Sequence, residues 1–462
     1  MPKIAEVFAS WAGQLRPEDL PAEIRDRVTL RIADAIGLVA AAWSTPPGRA
    51  VRDLAGELAG QGGATLLFDP RPMHPASAAL AHGSLVHALD YDDTFPESVI
   101  HPMGVLLPAA LAAATDERGG AEVVAAIAAG DELLARLGAA AGRGLHARGF
   151  QATSIFGPLA AALVVGVLRR RDPATIASAM GLSGSMSGGL LEFLSDGTWS
   201  KRLHPGWAAH GGVIADGLAA RGFPGPASVV EGRHGLFASF LAAEVDPTEV
   251  TTGLGERWLS REAEVKLYPC AHVLHPFIAM AAELRRQGVR AADLTEIVCG
   301  VAPWYVPIVC EPIAEKLAPA SEYQARTSLP LAVALALLDE DVDSASFEPA
   351  SFRRPEVREL AQRVRYVVEP ELTEGFGARL RLHTADQQIV GDPGLRVDVP
   401  QRVRRKFTAA TTAAAGADAG PDDVTAAADA LWAAARGLDR QPVGKLRSAA
   451  LQVARLWGTA HR

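Results

Sequence analysis

Short apolar runs at 34–43, 160–168 and 329–338, rich in Ala, Leu and Val, constrain this fold more than any other feature. Each suits a buried helix and falls short of the ~20 residues that a bilayer-spanning helix needs. A chain carrying them folds around internal helices. Only 6% of its residues are aromatic and alanine is abundant, so those helices pack closely through small side chains. With 462 residues and 49% hydrophobic content, a sizeable core and two or three domains are expected, and a disordered chain is excluded.

Helical texture extends from the N-terminus to about residue 250. Pro21, Ala22, Glu23 and Ile24 open a helix with proline and acid in its first turn, and apolar residues recur at Val28, Ile32 and Ile36. Gly119 and Gly120 separate two further alanine-rich runs, and helical pattern continues over 158–170 and 173–181. Near residue 260 the texture changes. Residues 294–301 and 364–368 are β-branched runs, and 378–383 alternates apolar and polar residues as a half-buried strand does, with a helix over 328–338 between them. Helical texture returns after residue 402, where 408–420 is Ala/Gly-rich and reads as a loose helix or a mobile stretch. The expected fold is mainly α: an all-α domain from 1–262 and 402–462, with an α+β lid domain inserted at 263–401.

The net charge of −8 argues against a general nucleic-acid binder. The three cysteines, Cys270, Cys299 and Cys310, form no CxxC pair and no disulfide framework. The start, MPKIAEVFASWAGQL, reads as an amphipathic helix rather than a signal peptide. A protein of the cytoplasm, without a membrane partner, is the expectation.

Three segments carry chemistry. The first is HALDYDDT at 87–94, followed by His101. Asp90, Asp92 and Asp93 lie among apolar residues, where like charges are costly unless paired or protonated. An Asp that polarises His101 would equip it to move a proton. The bland alternative is helix capping by Asp92 or Asp93 plus one structural salt bridge. The second is SDGTWSKRLHPG at 195–206. Lys201 and Arg202 can bind a carboxylate. His204 precedes a proline, which predicts an extended or turn segment there. The third is KLYPCAHVLH at 266–275, with Lys266, Cys270, His272 and His275. A helix starting after Pro269 would put both histidines on one side. Their spacing matches no zinc signature, so proton transfer by a neutral His is preferred to metal binding. There is no GxGxxG, Walker A loop or GxSxG elbow, and no cofactor is expected.

Taken in order, these segments resemble the MmgE/PrpD family, which includes 2-methylcitrate dehydratases, cis-aconitate decarboxylases and iminodisuccinate epimerases. The resemblance also rests on GFQATSIFGPLAAAL at 149–163, GFPGPASVVEGRHGLF at 222–237, QARTSLPLAVALALLD at 324–339 and RKF at 405–407. It implies a helical domain with a smaller lid, a homodimer, and a metal-free site for small di- or tricarboxylates. The shared chemistry is proton removal or delivery next to a carboxylate, after which water, CO2 or nothing leaves. By motif, Asp90, His101, Lys201 and His275 are the implied catalytic residues. Gln151, Arg202, His204, Lys266, His272 and Leu331 are the implied substrate-binding residues.

Two positions depart from the family pattern. Gln151 stands where the G-[FW]-H-x-T motif has His, and Leu331 where the S-x-x-Y motif has Tyr. Gln can hydrogen-bond but cannot titrate, and Leu does neither. The expectation is therefore a metal-independent lyase of dehydratase type on a non-standard carboxylate. A decarboxylase, an epimerase and a binding protein that has lost catalysis are the alternatives.

Overall fold

The structure is a computed structural model that describes residues 3–58, 60, 62–372, 375–392 and 398–458. It is mainly α-helical, and the chain divides into two compact units. The first comprises Met1–Leu191, Trp199–Val265 and Pro400–Arg462; the second comprises Glu192–Thr198 and Lys266–Val399.

The principal helices of the first unit, up to residue 265, are α1 (Ala22–Ala42), α2 (Pro75–His87), α3 (Met103–Ala113), α4 (Gly120–Ala141), α5 (Ala152–Leu168) and α6 (Ser200–Ala219). A small hairpin, β1 (Ala64–Leu66) and β2 (Asp69–Met73), precedes α2. Val28, Ile32 and Ile36 of α1 are fully buried, as their spacing predicts. The close packing rests on small residues. A Cβ on Gly83 of α2 would lie 2.6 Å from the Cα of Gly206 in α6, and one on Gly206 would lie 2.3 Å from the Leu80 carbonyl. Only glycine lets these two backbones touch. Their contact sets His87, one turn after Gly83, and Lys201, just over one turn before Gly206, on neighbouring helix ends.

Three of these helices contain an interior proline, Pro108 in α3, Pro158 in α5 and Pro205 in α6. α5 begins at Ala152, ahead of the start expected at Pro158, which lies inside it. Pro158 has no N–H for the Ser154 carbonyl. That carbonyl instead accepts the Gly188 N–H at 3.3 Å, while the Gly189 carbonyl accepts the Gln151 N–H at 3.1 Å. The loop at 188–189 is thereby tied to the start of α5. The extended or turn segment expected at His204 is corrected: α6 runs through it, with Pro205 inside the helix. Pro205 is buried at the position where Gly104 of α3 leaves room for it, and this packing offsets the lost hydrogen bond.

In the second unit, α7 (His275–Arg286) and α8 (Leu329–Leu338) pack together beside a sheet of β3 (Glu296–Val301), β4 (Val364–Val368), β5 (Arg379–His383) and β6 (Gln388–Val390). The strand order is β4-β3-β5-β6. β3 pairs parallel with β4 (Ile297 opposite Val364) and antiparallel with β5 (Ile297 opposite Leu382). A parallel pair needs a crossover, and the helices between residues 301 and 364 supply it. Glu192–Thr198 belongs with this unit: Phe193 meets Tyr323 edge-on at 5.7 Å.

The chain then returns to the first unit through α9 (Val399–Thr412), α10 (Pro421–Arg436) and α11 (Val443–Arg455). α9 is a regular helix across the Ala/Gly-rich stretch as far as Thr412, and Thr411 is buried. Among the described residues no single helix is long and apolar enough to cross a membrane.

Candidate active site

The loop between α2 and α3 carries the acidic cluster, and the three carboxylates have different partners. Asp93 takes the structural part. Its Oδ2 lies 3.0 Å from Arg31 Nη1, its Oδ1 accepts the Met103 N–H at 3.0 Å, and Arg31 also holds Asp131 of α4. Asp93 therefore caps the first turn of α3 and joins a buried ion-pair triad. Burial pushes its pKa up to about 7 against the pull of Arg31, with Asp92 and Asp131 adding to the rise.

Asp92 is shared between two imidazoles. Its Oδ1 and Oδ2 accept from His87 Nδ1 at 2.8 and 2.9 Å, and Oδ1 lies 3.7 Å from His101 Nδ1. The His87 and His101 rings are 4.5 Å apart. His101 Nδ1 also lies 3.0 Å from the Asp93 carbonyl, which can only accept. The proton of neutral His101 is thus on Nδ1, leaving Nε2 as the basic atom. The Thr153 hydroxyl of α5 accepts the His101 backbone N–H at 3.0 Å and fixes the residue in place. In His87 the Asp92 bond likewise leaves Nε2 with the lone pair; that atom is buried and has no hydrogen-bond partner among the described residues.

Asp90 is paired with Lys201, 2.8 Å from Oδ2 to Nζ, with side chains 6% and 13% exposed. Its backbone φ of 51° is left-handed, an uncommon conformation for a non-glycine residue and one that concentrates at functional sites. Asp90, Asp92, His87 and His101 place one ligand atom each within 4.8 Å of one another, and among the described residues these four could hold a divalent cation. Lys201 already supplies the counter-charge to Asp90, and Nδ1 of both histidines is held as a donor.

Around Lys201 lie three neutral polar groups. Burial lowers His204 to about 4, with neighbouring His87 and Lys201 adding to the fall. Burial lowers His146 to about 4 as well, followed by Lys201 and Arg143. His204 Nδ1 is hydrogen-bonded to Gln151 Oε1, and Gln151 Nε2 is buried without a partner among the described residues. Gln151 sits at the N-cap of α5. Arg202 is buried with its guanidinium 5.6 Å from the Trp199 ring centre.

Thus Asp90, His101, Lys201, Gln151 and His204, singled out in the sequence, belong to one unit, where Asp90 meets Lys201 and approaches His101, and Gln151 meets His204. His87, Asp92 as the shared carboxylate, and His146 were not singled out as site residues. His87 stands in the quoted HALDYDDT, five positions before Asp92, and that pairing is its only local signal.

Lys266, His272, His275 and Leu331 belong to the second unit. Lys266 is buried. His272 lies in a 3-10 turn and His275 opens α7, so the expected single helix through both is corrected. Pro276 favours a helix start at that point. Their rings are 4.4 Å apart, and Tyr268 meets His275 edge-on. Leu331 is fully buried in the core of this unit, in the first turn of α8, and its N–H is capped by Ser328 Oγ at 3.2 Å.

Comparison with known proteins bears directly on this arrangement. Residues 6–248 match the MmgE/PrpD N-terminal domain, and residues 268–420 match the MmgE/PrpD C-terminal domain. The cis-aconitate decarboxylase-like protein oryM of Aspergillus oryzae is 30% identical over 298 residues, covering 60% of this chain and 61% of that protein. The cis-aconitate decarboxylase of Aspergillus terreus is 25% identical over 375 residues, covering 77% and 76%. That of Homo sapiens is 27% identical over 319 residues, covering 65% and 63%. The chain thus spans less than two thirds of the oryM and human proteins. With family matches in both units, and the Asp90–His101–Lys201 group inside the first, the chain belongs to the MmgE/PrpD family.

Proposed function

We propose that this protein is a lyase acting on a small carboxylate, by proton transfer next to that carboxylate. The carrying observation is that His101 is held with Nδ1 as donor and Nε2 basic, among Asp90, Asp92 and Lys201. The Lys201 ammonium would meet the substrate carboxylate and stabilise the enolate-like charge that develops as the neighbouring proton leaves. His101 Nε2 would take that proton, and Asp92 would stabilise the imidazolium that forms. Because Lys201 supplies positive charge, the step needs no metal.

Loss of water is the first assignment for the second half of the reaction. Loss of CO2 is the alternative favoured by the relatives, whose names are cis-aconitate decarboxylase; in that case no C–H proton leaves first, the electron pair of the broken C–CO2 bond stays on carbon, and protonated His101 delivers a proton to it. Gln151, in place of the family's titratable histidine, supports a non-standard substrate rather than the usual compact tricarboxylate. Turnover of a carboxylate panel followed by mass spectrometry tests the assignment: loss of about 18 mass units means dehydration and about 44 means decarboxylation, both through a carbanion-type step. No turnover of any member would remove the lyase assignment.

A homodimer is proposed as the working form. Trp199, Leu203 and Trp207 are 49%, 45% and 46% exposed and recur every four residues along one face of α6 and its cap. An exposed apolar stripe of this kind fits a second copy of the chain.

A further inference from the structure

The RKF segment at 405–407 lies more than 300 residues from the acidic loop, yet its lysine ends there. Lys406 Nζ is 2.7 Å from Asp34 Oδ1 in α1 and donates to the Tyr91 carbonyl at 2.6 Å. It also lies 3.6 Å from the centre of the Tyr91 ring. The side chains of Lys406 and Asp34 are 8% and 2% exposed. Phe407 secures the approach: it lies against Gly37 of α1, where a Cβ would come within 3.1 Å of its ring.

Tyr91 follows Asp90, the residue in the left-handed conformation. That conformation persists only where its surroundings hold it. The turn is tied at its start by the Asp90 N–H to the His87 carbonyl at 3.1 Å, and at its end by paired 2.8 Å bonds between Thr94 and Glu264. Between these ties, the Lys406 bond holds the Tyr91 carbonyl. A charged donor makes a stronger and better directed bond than a neutral one, and the ring contact adds a second attachment at the same residue.

We infer that Lys406 is a positioning residue for the Asp90–His101–Lys201 group: it fixes the Tyr91 peptide, and so the backbone turn that presents the Asp90 carboxylate to Lys201. The inference rests on the proposed assignment of that group as the catalytic one.

Lys406→Met keeps the length and apolar stem while removing the charged donor, and Lys406→Arg keeps the charge. Hydrogen exchange of amides 90–95 reads the turn without any substrate. It should accelerate at least tenfold in Lys406→Met, with α2 and α5 unchanged, and stay near the parent rate in Lys406→Arg. On whichever carboxylate the mass screen identifies, Lys406→Met should lower kcat by about 10- to 100-fold with KM within about threefold, as expected for misplaced groups. Lys406→Arg should recover most of that loss. Parent-like exchange in Lys406→Met, or equal losses in both variants, would overturn the positioning role. So would failure of Lys406→Met to fold, which would make the residue one of general stability. Asp90→Asn separates the two claims: if it is fully active, the catalytic assignment fails, and the exchange result still decides whether Lys406 holds the turn.

Discussion

Replacing Lys201 by Met tests whether its pair with Asp90 is a working part of the site or only an internal tie. The ammonium lies 2.8 Å from a carboxylate that is 6% exposed, with Asp92, His87 and His101 close by. Removing one partner of a fully buried pair costs ~3–5 kcal/mol, because the other charge is stranded. Lys201 keeps 13% of its side-chain surface exposed, and Asp90 can take up a proton, so the lower end of that range, about 3 kcal/mol, is expected near neutral pH. The double variant Lys201→Met with Asp90→Asn strands no charge, and should recover most of that stability. Activity should behave differently. If Lys201 stabilises developing charge on the substrate, both variants should lose roughly 100- to 1,000-fold in kcat. Urea unfolding reads the first quantity, and turnover by mass spectrometry reads the second. A cost below about 0.5 kcal/mol for Lys201→Met would mark the pair as no stronger than a surface one. Activity that returned with stability in the double variant would show that Lys201 serves only as the counter-ion of Asp90.

Three further outcomes follow from the same geometry. Gln151→His should move turnover towards cis-aconitate or 2-methylcitrate; rapid turnover of either by the unmodified protein would remove the idea of a changed substrate. His82 accepts the Leu67 N–H at 3.0 Å through Nε2, and burial, with the charge of Arg447, lowers it from 6.5 to about 3. Between those values the unfolded chain binds the extra proton, so stability should fall on acidification below pH 6.5 by about 1.4 kcal/mol per pH unit from this group, and His82→Gln should flatten that slope in pH-dependent urea titrations. Trp207→Glu should shift the protein to monomer by light scattering at micromolar concentration; an unmodified protein already monomeric there would contradict the dimer.

Local pattern carried the elements whose cause is local. The β-branched runs became β3 and β4, and Val28, Ile32 and Ile36 became the buried stripe of α1. The β2 strand was hidden because it reads DPRPM, with two prolines in five residues. The helix through His204 was hidden by Pro205, whose cost is offset by packing that sequence does not display. In the site, the residue types of Asp90, His101 and Lys201 were legible, and so was the bland reading of the cluster, which holds for Asp93. Which carboxylate takes which task was not legible. Arg31 reaches Asp93 across 62 positions and Lys406 reaches Tyr91 across 315, and no periodicity encodes such pairings. Asp92 became the shared carboxylate because Arg31 and the Met103 N–H had engaged Asp93, and Lys201 had engaged Asp90.

The most direct test of the central claim is turnover of the carboxylate panel in D2O by the unmodified protein and by His101→Asn. Mass spectrometry would read both the group lost and the deuterium entering the carbon next to the carboxylate. The account predicts loss of water or CO2 with deuterium exchange at that carbon in the unmodified protein. It predicts that His101→Asn, with its fold intact by circular dichroism, loses both by at least about 100-fold, the scale of a positioned acid or base. Exchange and turnover at the parent rate in His101→Asn would contradict it.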